Sequence, residues 1–96
     1  MREFYLKRRL IALYNRLQDD YFDYVRKHEK ETDTKAAEYW YDKASVQAGI
    51  MDGVARTASE ALGIRSDDFL LLCYRARDIR ENTADGAGEE YDGQRA

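Results

Sequence analysis

The sequence has 96 residues, with one cysteine, no proline and a net charge of −3. A chain of this length forms one domain with a modest core. Its 16 basic and 19 acidic residues nearly cancel, which argues against general adhesion to nucleic acid or to membrane surfaces. No apolar run approaches the ~18 residues of a membrane span, and charged residues rather than a signal peptide follow Met1. We therefore expect a cytoplasmic protein without an internal disulfide.

The first predicted helix covers residues 2–31. Leu6, Leu10, Leu13 and Leu17 follow one another at three- and four-residue steps, which is the spacing of one helix face. Other apolar residues widen this stripe to about half of the circumference: Phe4, Ile11, Tyr14, Tyr21, Phe22, Tyr24 and Val25. The opposite half is predicted to be polar: Arg8, Arg9, Asn15, Arg16, Asp19, Asp23, Arg26, Lys27 and Lys30.

The second predicted helix covers residues 34–62, with Asp33 or Thr34 as its N-cap. Gly63 is expected in the left-handed conformation after its last turn, with Ile64 folding back as the accompanying apolar contact. One side of the helix is apolar and is expected to face inward: Trp40, Ala44, Met51, Val54, Ala58 and Leu62. The other side is polar: Glu38, Asp42, Ser45, Asp52, Arg56 and Ser59.

Two helices of nearly equal length with a short connection predict an antiparallel hairpin. The apolar arc of the second helix is wide, because Tyr39, Val46 and Ile50 extend one flank and three alanines extend the other. A helix with one neighbour needs a stripe of only roughly 100°. The excess predicts at least two neighbours and favours a homodimer, for example a four-helix arrangement of two hairpins.

A third, shorter helix is predicted over residues 67–81, with Ser66 as its cap and acidic residues in its first turn. The apolar run 69–74 within it also fits a buried strand. No second strand candidate exists to pair with it, and an isolated strand is not stable, so we predict a helix. From Asn82 onward the sequence is polar, acidic and rich in glycine, which predicts a disordered tail over 82–96.

The third helix carries more apolar residues than one buried face can hold. The residues expected to face the hairpin are Phe69, Leu72, Cys73, Ala76 and Ile79. Leu70, Leu71 and Tyr74 then point away from it. Either these three side chains tuck against the ends of the long helices, or they form a protein–protein surface.

The residues that usually carry catalysis or metal binding are scarce. One histidine and one cysteine, far apart in sequence, do not make a zinc site, and no phosphate-binding loop is present. His28 is predicted to be a packed, hydrogen-bonded residue and Cys73 a small core residue, since no catalytic partner accompanies either. We predict no catalytic, metal or cofactor site, and no enzymatic activity.

Tyrosine is the unusual component, with eight copies beside one tryptophan and three phenylalanines. Tyrosine suits surfaces that are apolar with a wet edge. Trp40 is expected in the core, with Tyr41 or Tyr39 exposed beside it. The residues predicted to bind a protein partner are Leu70, Leu71, Tyr74, Tyr41, Asp67 and Asp68.

The sequence thus predicts a single all-α domain over residues 1–81, a small helical bundle, that acts as a protein–protein interaction module: an adaptor, a regulator or an inhibitor. In size and style it resembles the small helical accessory proteins of phages and mobile elements, including the anti-CRISPR proteins. That resemblance implies, as an alternative, an inhibitor of a nucleic-acid-processing enzyme. A second alternative is weak nucleic-acid binding through arginine, lysine and tyrosine of the first helix, although nearby aspartates oppose it. Nucleic acid and membranes are not expected partners.

Overall fold

The computed structural model describes the backbone of residues 2–91 and the side chains of residues 4–81. It contains three α-helices: α1 (Arg2–Lys30), α2 (Thr34–Leu62) and α3 (Ser66–Tyr91). No strand is found in this part of the chain. The prediction of an all-α helical bundle is confirmed. None of the helices, over the residues described, is long and apolar enough to cross a membrane.

The first two helices form the predicted antiparallel hairpin. Gln47 Nε2 of α2 donates to the Leu17 carbonyl of α1 at 3.0 Å, and near the connection Tyr24 stacks on Trp40. The carboxylate of Asp33 accepts from the Ala36 amide at 2.9 Å, so Asp33 is the N-cap of α2. A side-chain acceptor at this position satisfies one of the free amides of the first helical turn.

Gly63 ends α2 as predicted. Its φ of 69° is left-handed, which a residue with a side chain adopts at a cost. The Gly63 amide donates to the Glu60 carbonyl at 3.2 Å and the Ile64 amide to the Ser59 carbonyl at 2.9 Å. This pair of hydrogen bonds is the Schellman motif, and it turns the chain so that Ile64 packs against the core.

The third helix packs across the hairpin near the N-terminal half of α1. Phe69 and Cys73 of α3 are 0 % and 2 % exposed and form one buried cluster with Ala55 and Ala58 of α2. The Tyr14 ring of α1 meets the Phe69 ring edge-on, with centroids 5.9 Å apart. Small residues on α2 let α3 approach closely, so one large ring fills the space between three helices.

Polar groups fix the position of α3 on α1. Asn15 Nδ2 donates to the Cys73 carbonyl at 3.1 Å, and Arg77 Nη2 donates to the Asn15 carbonyl at 2.9 Å. Arg77 also pairs with Asp19 at 2.8 Å and is itself only 17 % exposed. Hydrogen bonds to a charged group are stronger than neutral ones, and they depend on direction, so this network specifies where α3 lies.

Several predicted positions differ in the structure. Asn15 and Ser59 were expected on polar outer faces, but each is 5 % exposed because α3 lies over it. Ser66 is the first residue of α3 rather than its cap, and its hydroxyl pairs with that of Ser59 at 3.2 Å. Ile79 was expected against the hairpin and is 65 % exposed. It lies two residues after Arg77, which pairs with Asp19 of α1.

The end of α3 also differs from the prediction. The helix continues to Tyr91, ten residues beyond the predicted end at residue 81. This stretch contains no proline to interrupt the backbone hydrogen bonds. Residues 92–96 of the predicted disordered tail lie outside the described residues.

Replacing Phe69 with alanine tests the packing of α3. Because the ring is completely buried, we expect Phe69→Ala to lower the free energy of unfolding by about 3–5 kcal/mol. Leu71→Ala is the matched control on the exposed side of the same helix and should change it by less than about 1 kcal/mol. Urea unfolding followed by circular dichroism measures both. Equal effects of the two variants would contradict the described orientation of α3.

Candidate interaction surfaces

The folded chain buries few of its apolar side chains. Among the described residues the buried apolar set is small: Ala44, Met51, Ala55, Ala58, Phe69 and Cys73. The exposed large apolar set is twice as long: Phe4, Tyr5, Leu6, Phe22, Tyr39, Tyr41, Val46, Ile50, Leu70, Leu71, Tyr74 and Ile79. Scattered exposed residues need no explanation, but contiguous ones mark contact sites. The arrangement of the exposed set therefore decides where contact is expected.

One contiguous set lies on the side of the hairpin opposite α3, and we call it the open face. It comprises the exposed residues Leu6, Tyr39, Val46 and Ile50 with the half-buried Leu10, Leu13 and Tyr24 between them. Leu10 also packs against the buried cluster and so lies at the edge of this face. Val46 precedes Ala55 by nine residues, so the two side chains point in directions about 180° apart around the axis of α2. Because Ala55 faces α3, Val46 faces the opposite side. Val46 is 64 % exposed and Ile50 46 % exposed, although both are aliphatic. Two shallow depressions, of about 310 and 360 Å³, run along this face.

A cluster of aromatic rings and lysines closes the open face near the hairpin connection. The Trp40 ring meets Tyr39 edge-on at 4.9 Å, and Lys27 Nζ lies 4.7 Å from the Trp40 centroid. Lys43 Nζ lies 5.7 Å from both the Tyr24 and the Tyr39 ring centroids. Trp40 is thus half-buried under these groups rather than inside a core. Cations above ring faces are attracted to them, so both lysines cover apolar surface here.

A second apolar surface lies on the same side of the hairpin as α3, beyond the part that α3 covers. It is a groove of about 320 Å³ lined by Tyr21, Val25, His28, Tyr41, Ala44, Ser45 and Ala48, and we call it the distal groove. His28 Nδ1 is 2.9 Å from the Ala37 carbonyl, and its ring lies 5.7 Å from that of Tyr41. His28 is therefore packed and hydrogen-bonded, as predicted. A carbonyl can only accept, so Nδ1 carries the proton and Nε2 of the neutral ring is left as an acceptor.

The predicted partner-binding residues of α3 are exposed rather than tucked inward. Leu72 lines a cavity with Phe4 and Lys7, which places that flank of α3 toward the start of α1. Leu70 and Tyr74 are each two residues from Leu72, so both lie on the flank of α3 that is opposite to Leu72. Leu71 is exposed on the outer side of α3.

Tyr41 lines the distal groove, and its ring lies near that of His28. The lining of the groove includes neither Leu70 nor Tyr74, so the structure does not bring these predicted residues together with Tyr41. Asp67 and Asp68 are exposed in the first turn of α3, where Asp67 pairs with Arg65 at 3.5 Å. An exposed pair of this kind contributes little to stability.

The buried Cys73 and the half-buried Tyr14 both have raised pKa values, so each keeps its proton more strongly than usual. Burial raises the pKa of the Cys73 thiol to about 12, and Arg77 only partly opposes that shift. Burial also raises the pKa of the Tyr14 phenol, with smaller contributions from Cys73 and Asp52. A nucleophilic cysteine needs the opposite shift, since the thiolate is the reactive form. Within the described residues no group of three or more His, Cys, Asp or Glu is placed to hold a metal ion.

The sequence pattern did not single out the distal groove as a site. Its lining residues appeared as ordinary members of two apolar stripes, and His28 as a structural residue. The available signal was a repeat in the spacing. Tyr21 follows Tyr14 by seven residues, and Ala48 precedes Ala55 by seven. The aromatic and small residues that contact α3 at one end of the hairpin therefore have counterparts seven residues away, toward the other end.

Comparison with known proteins gives no match to a protein family, a curated protein or a solved structure.

The pKa of Cys73 leads to a testable expectation. At pH 8 the native thiol should react with iodoacetamide far more slowly than the thiol of the urea-unfolded chain. From about pH 9 to about pH 12 the unfolded chain releases the thiol proton while the folded chain keeps it. The free energy of unfolding should therefore fall as pH rises through this window.

The matched control for this expectation is Cys73→Ala, which removes the thiol and should show a smaller loss of stability over that pH window. Equal labelling rates for the native and unfolded chains would contradict the buried position of Cys73.

Proposed function

We propose that the chain is a non-enzymatic protein–protein interaction module that self-associates through its open face. The observation that carries this proposal is the exposure of Val46 and Ile50 in a continuous apolar face opposite α3. Removing apolar surface from water is the main favourable contribution to most protein association. In a twofold symmetric dimer the same patch of both copies forms the interface, so a second copy can cover this face with its own.

The spacing of the open face is that of a helical bundle. On α2 the residues facing outward follow steps of four and three: Tyr39, Lys43, Val46, Ile50, Gly53 and Thr57. On α1 Leu6, Leu10, Leu13 and Leu17 follow the same steps. Alternating steps of three and four produce a seam that packs against other helices in a bundle. A hairpin with one such seam on each helix supports a four-helix dimer.

Two features of the face suit a close and oriented contact. A Cβ added to Gly53 would meet no atom within 4 Å, so a second helix can approach the backbone there. Asp20 and Lys43 interrupt the two seams with opposite charges, and polar residues in a seam restrict the registers that a bundle accepts.

The size of the face is sufficient for a dimer interface. Its residues span 6–24 on α1 and 39–57 on α2, which is about 28 Å of each helix. Two such stretches packed side by side are roughly 18–20 Å wide, which gives roughly 500 Å² on each partner. The total of roughly 1,000 Å² is at the lower end of what specific interfaces bury. Most of the open face therefore has to take part, and its centre near Ile50 should be the most sensitive position.

Charge introduced at Ile50 tests this proposal. We expect Ile50→Glu to convert a dimer into a monomer without loss of helical signal, because the side chain already lies outside the monomer core. Size-exclusion chromatography with light scattering measures the solution mass. The expected change is about a factor of two, from a twofold dimer to a single chain.

Leu71→Glu is the matched control for Ile50→Glu. Leu71 is 45 % exposed, almost the same as Ile50 at 46 %, but it lies on the outer side of α3. Leu71→Glu should leave the dimer intact. A wild-type protein that stays monomeric at high concentration would refute self-association, and loss of the dimer only in Leu71→Glu would assign the contact to α3 instead.

A further inference from the structure

We propose that the distal groove binds a basic amphipathic helix of a second protein. This inference rests on the proposed role in protein–protein interaction and adds the binding surface and the chemistry of the partner. It does not depend on self-association, because the groove lies on the side of the hairpin that carries α3, and the open face lies on the other.

The chain itself shows how this side of the hairpin receives a helix. α3 presents Phe69, Cys73 and Arg77 at four-residue steps. The first two are buried against alanines of α2 and against Tyr14, whereas Arg77 pairs with Asp19 and donates to the Asn15 carbonyl. The docked helix therefore supplies a bulky apolar residue, a small one and a cation, one turn apart.

The distal groove repeats the same surface. Tyr21 lies seven residues after Tyr14, and Ala44 lies fourteen residues before Ala58, so each falls on the same side of its helix as the residue that contacts α3. Small side chains again form the floor, and aromatic rings again form the wall. Tyr41 is exposed, so the described residues 4–81 leave this half of the groove uncovered. A second helix can therefore lie where the surface continues beyond α3.

The charged residues around the groove select a basic partner. Glu29 follows Val25 by four residues and Glu38 precedes Tyr41 by three, so each is one turn from a lining residue. Asp52 follows Ala48 by four residues and pairs with Arg56 at 3.0 Å in an exposed position. Arg26 on α1 is already paired with Asp23 at 3.5 Å. A partner helix with a lysine or arginine one turn after its buried residues, as Arg77 follows Cys73 in α3, could therefore pair with carboxylates at the rim.

Hydrogen-bond acceptors in the groove favour the same chemistry. His28 Nδ1 is held by the Ala37 carbonyl, which leaves Nε2 to accept a hydrogen bond. The Ser45 hydroxyl and the Tyr41 hydroxyl also belong to residues of the lining and can accept as well as donate. Lysine and arginine only donate, so their side chains match these acceptors.

The α3 helix of a second copy is a poor occupant. Its exposed side carries Leu70, Leu71 and Tyr74 with charges of both signs, from Asp67 and Asp68 in the first turn and Arg75 one turn after Leu71. Its carboxylates would meet the acidic rim, and like charges across an interface disfavour it. The groove therefore fits a helix of opposite charge on another protein.

The probes for this proposal are three fluorescent peptides of about 15 residues, long enough for four helical turns. The basic peptide has leucine and alanine at three- and four-residue steps, flanked by lysine and arginine. The acidic peptide has glutamate in place of each cation, and the scrambled peptide keeps the basic composition without the period. Fluorescence anisotropy with the full chain should show saturable binding of the basic peptide and at least about tenfold weaker binding of the other two.

Two pairs of variants place the site. Ala48→Trp fills the groove from an exposed position and should weaken binding of the basic peptide about tenfold, whereas Ala12→Trp, an exposed alanine on the outer side of α1, should not change it. Glu29→Lys combined with Glu38→Lys should also weaken binding about tenfold. Glu60→Lys is the single-charge control at the far end of the hairpin and should change binding by less than about twofold.

The possible outcomes separate this proposal from self-association. If the wild type is monomeric but binds the basic peptide in an Ala48-dependent way, the groove proposal stands and the dimer does not. If Ile50→Glu is monomeric and no peptide binds saturably, the dimer stands and the groove proposal is overturned. Equal binding of the basic and acidic peptides overturns the charge assignment. A halved solution mass in Ala48→Trp would show that a second copy occupies the groove, which also overturns the proposal.

Discussion

The packing of α3 depends on one contact set, in which Phe69 and Cys73 are buried against the hairpin helices. Beside them the Asn15 side chain donates to the Cys73 carbonyl, and Arg77 donates to the Asn15 carbonyl. Apolar burial supplies most of the favourable free energy of this contact. The polar network supplies direction, since Asn15 Nδ2 and Arg77 Nη2 reach their acceptors only in a narrow range of geometries. These contacts are what make one side of the hairpin covered by α3 and the other side open.

That contact divides the remaining apolar surface into two parts with different character. The open face is continuous, with aliphatic residues at its centre and aromatic rings at one end, which suits an identical face of a second copy. The distal groove is lined by Ala44 and Ala48 with aromatic rings, and acidic residues lie one helical turn from its lining, which suits a single helix of opposite charge. Because these surfaces lie on opposite sides, one chain can use both at the same time. The two proposals together describe an interaction module that would join its own copy to a different protein.

Periodicity predicted much of this arrangement, including the three helices, the Gly63 turn and the outward position of Leu70, Leu71 and Tyr74. It also predicted that the apolar stripes exceed what the monomer covers, since stripe width follows directly from spacing. It did not predict that Asn15 and Ser59 would be buried. From helical spacing alone, a polar residue opposite the apolar stripe is expected to face solvent unless another helix is known to cover it. The distal groove was not predicted for the same reason, because it is the part of that side of the hairpin which α3 does not cover.

The sequence by itself determined the three helices, both ends of the connection between α1 and α2, the Gly63 turn and the direction of the hairpin, because caps, glycine and apolar spacing act within a few residues of the chain. Only the tertiary structure decided which side of the hairpin α3 would cover. That choice rests on contacts between residues far apart in the sequence, such as Asn15 with Cys73 and Asp19 with Arg77. Local pattern does not encode such pairings, because they depend on the three-dimensional fit of one large ring among small residues.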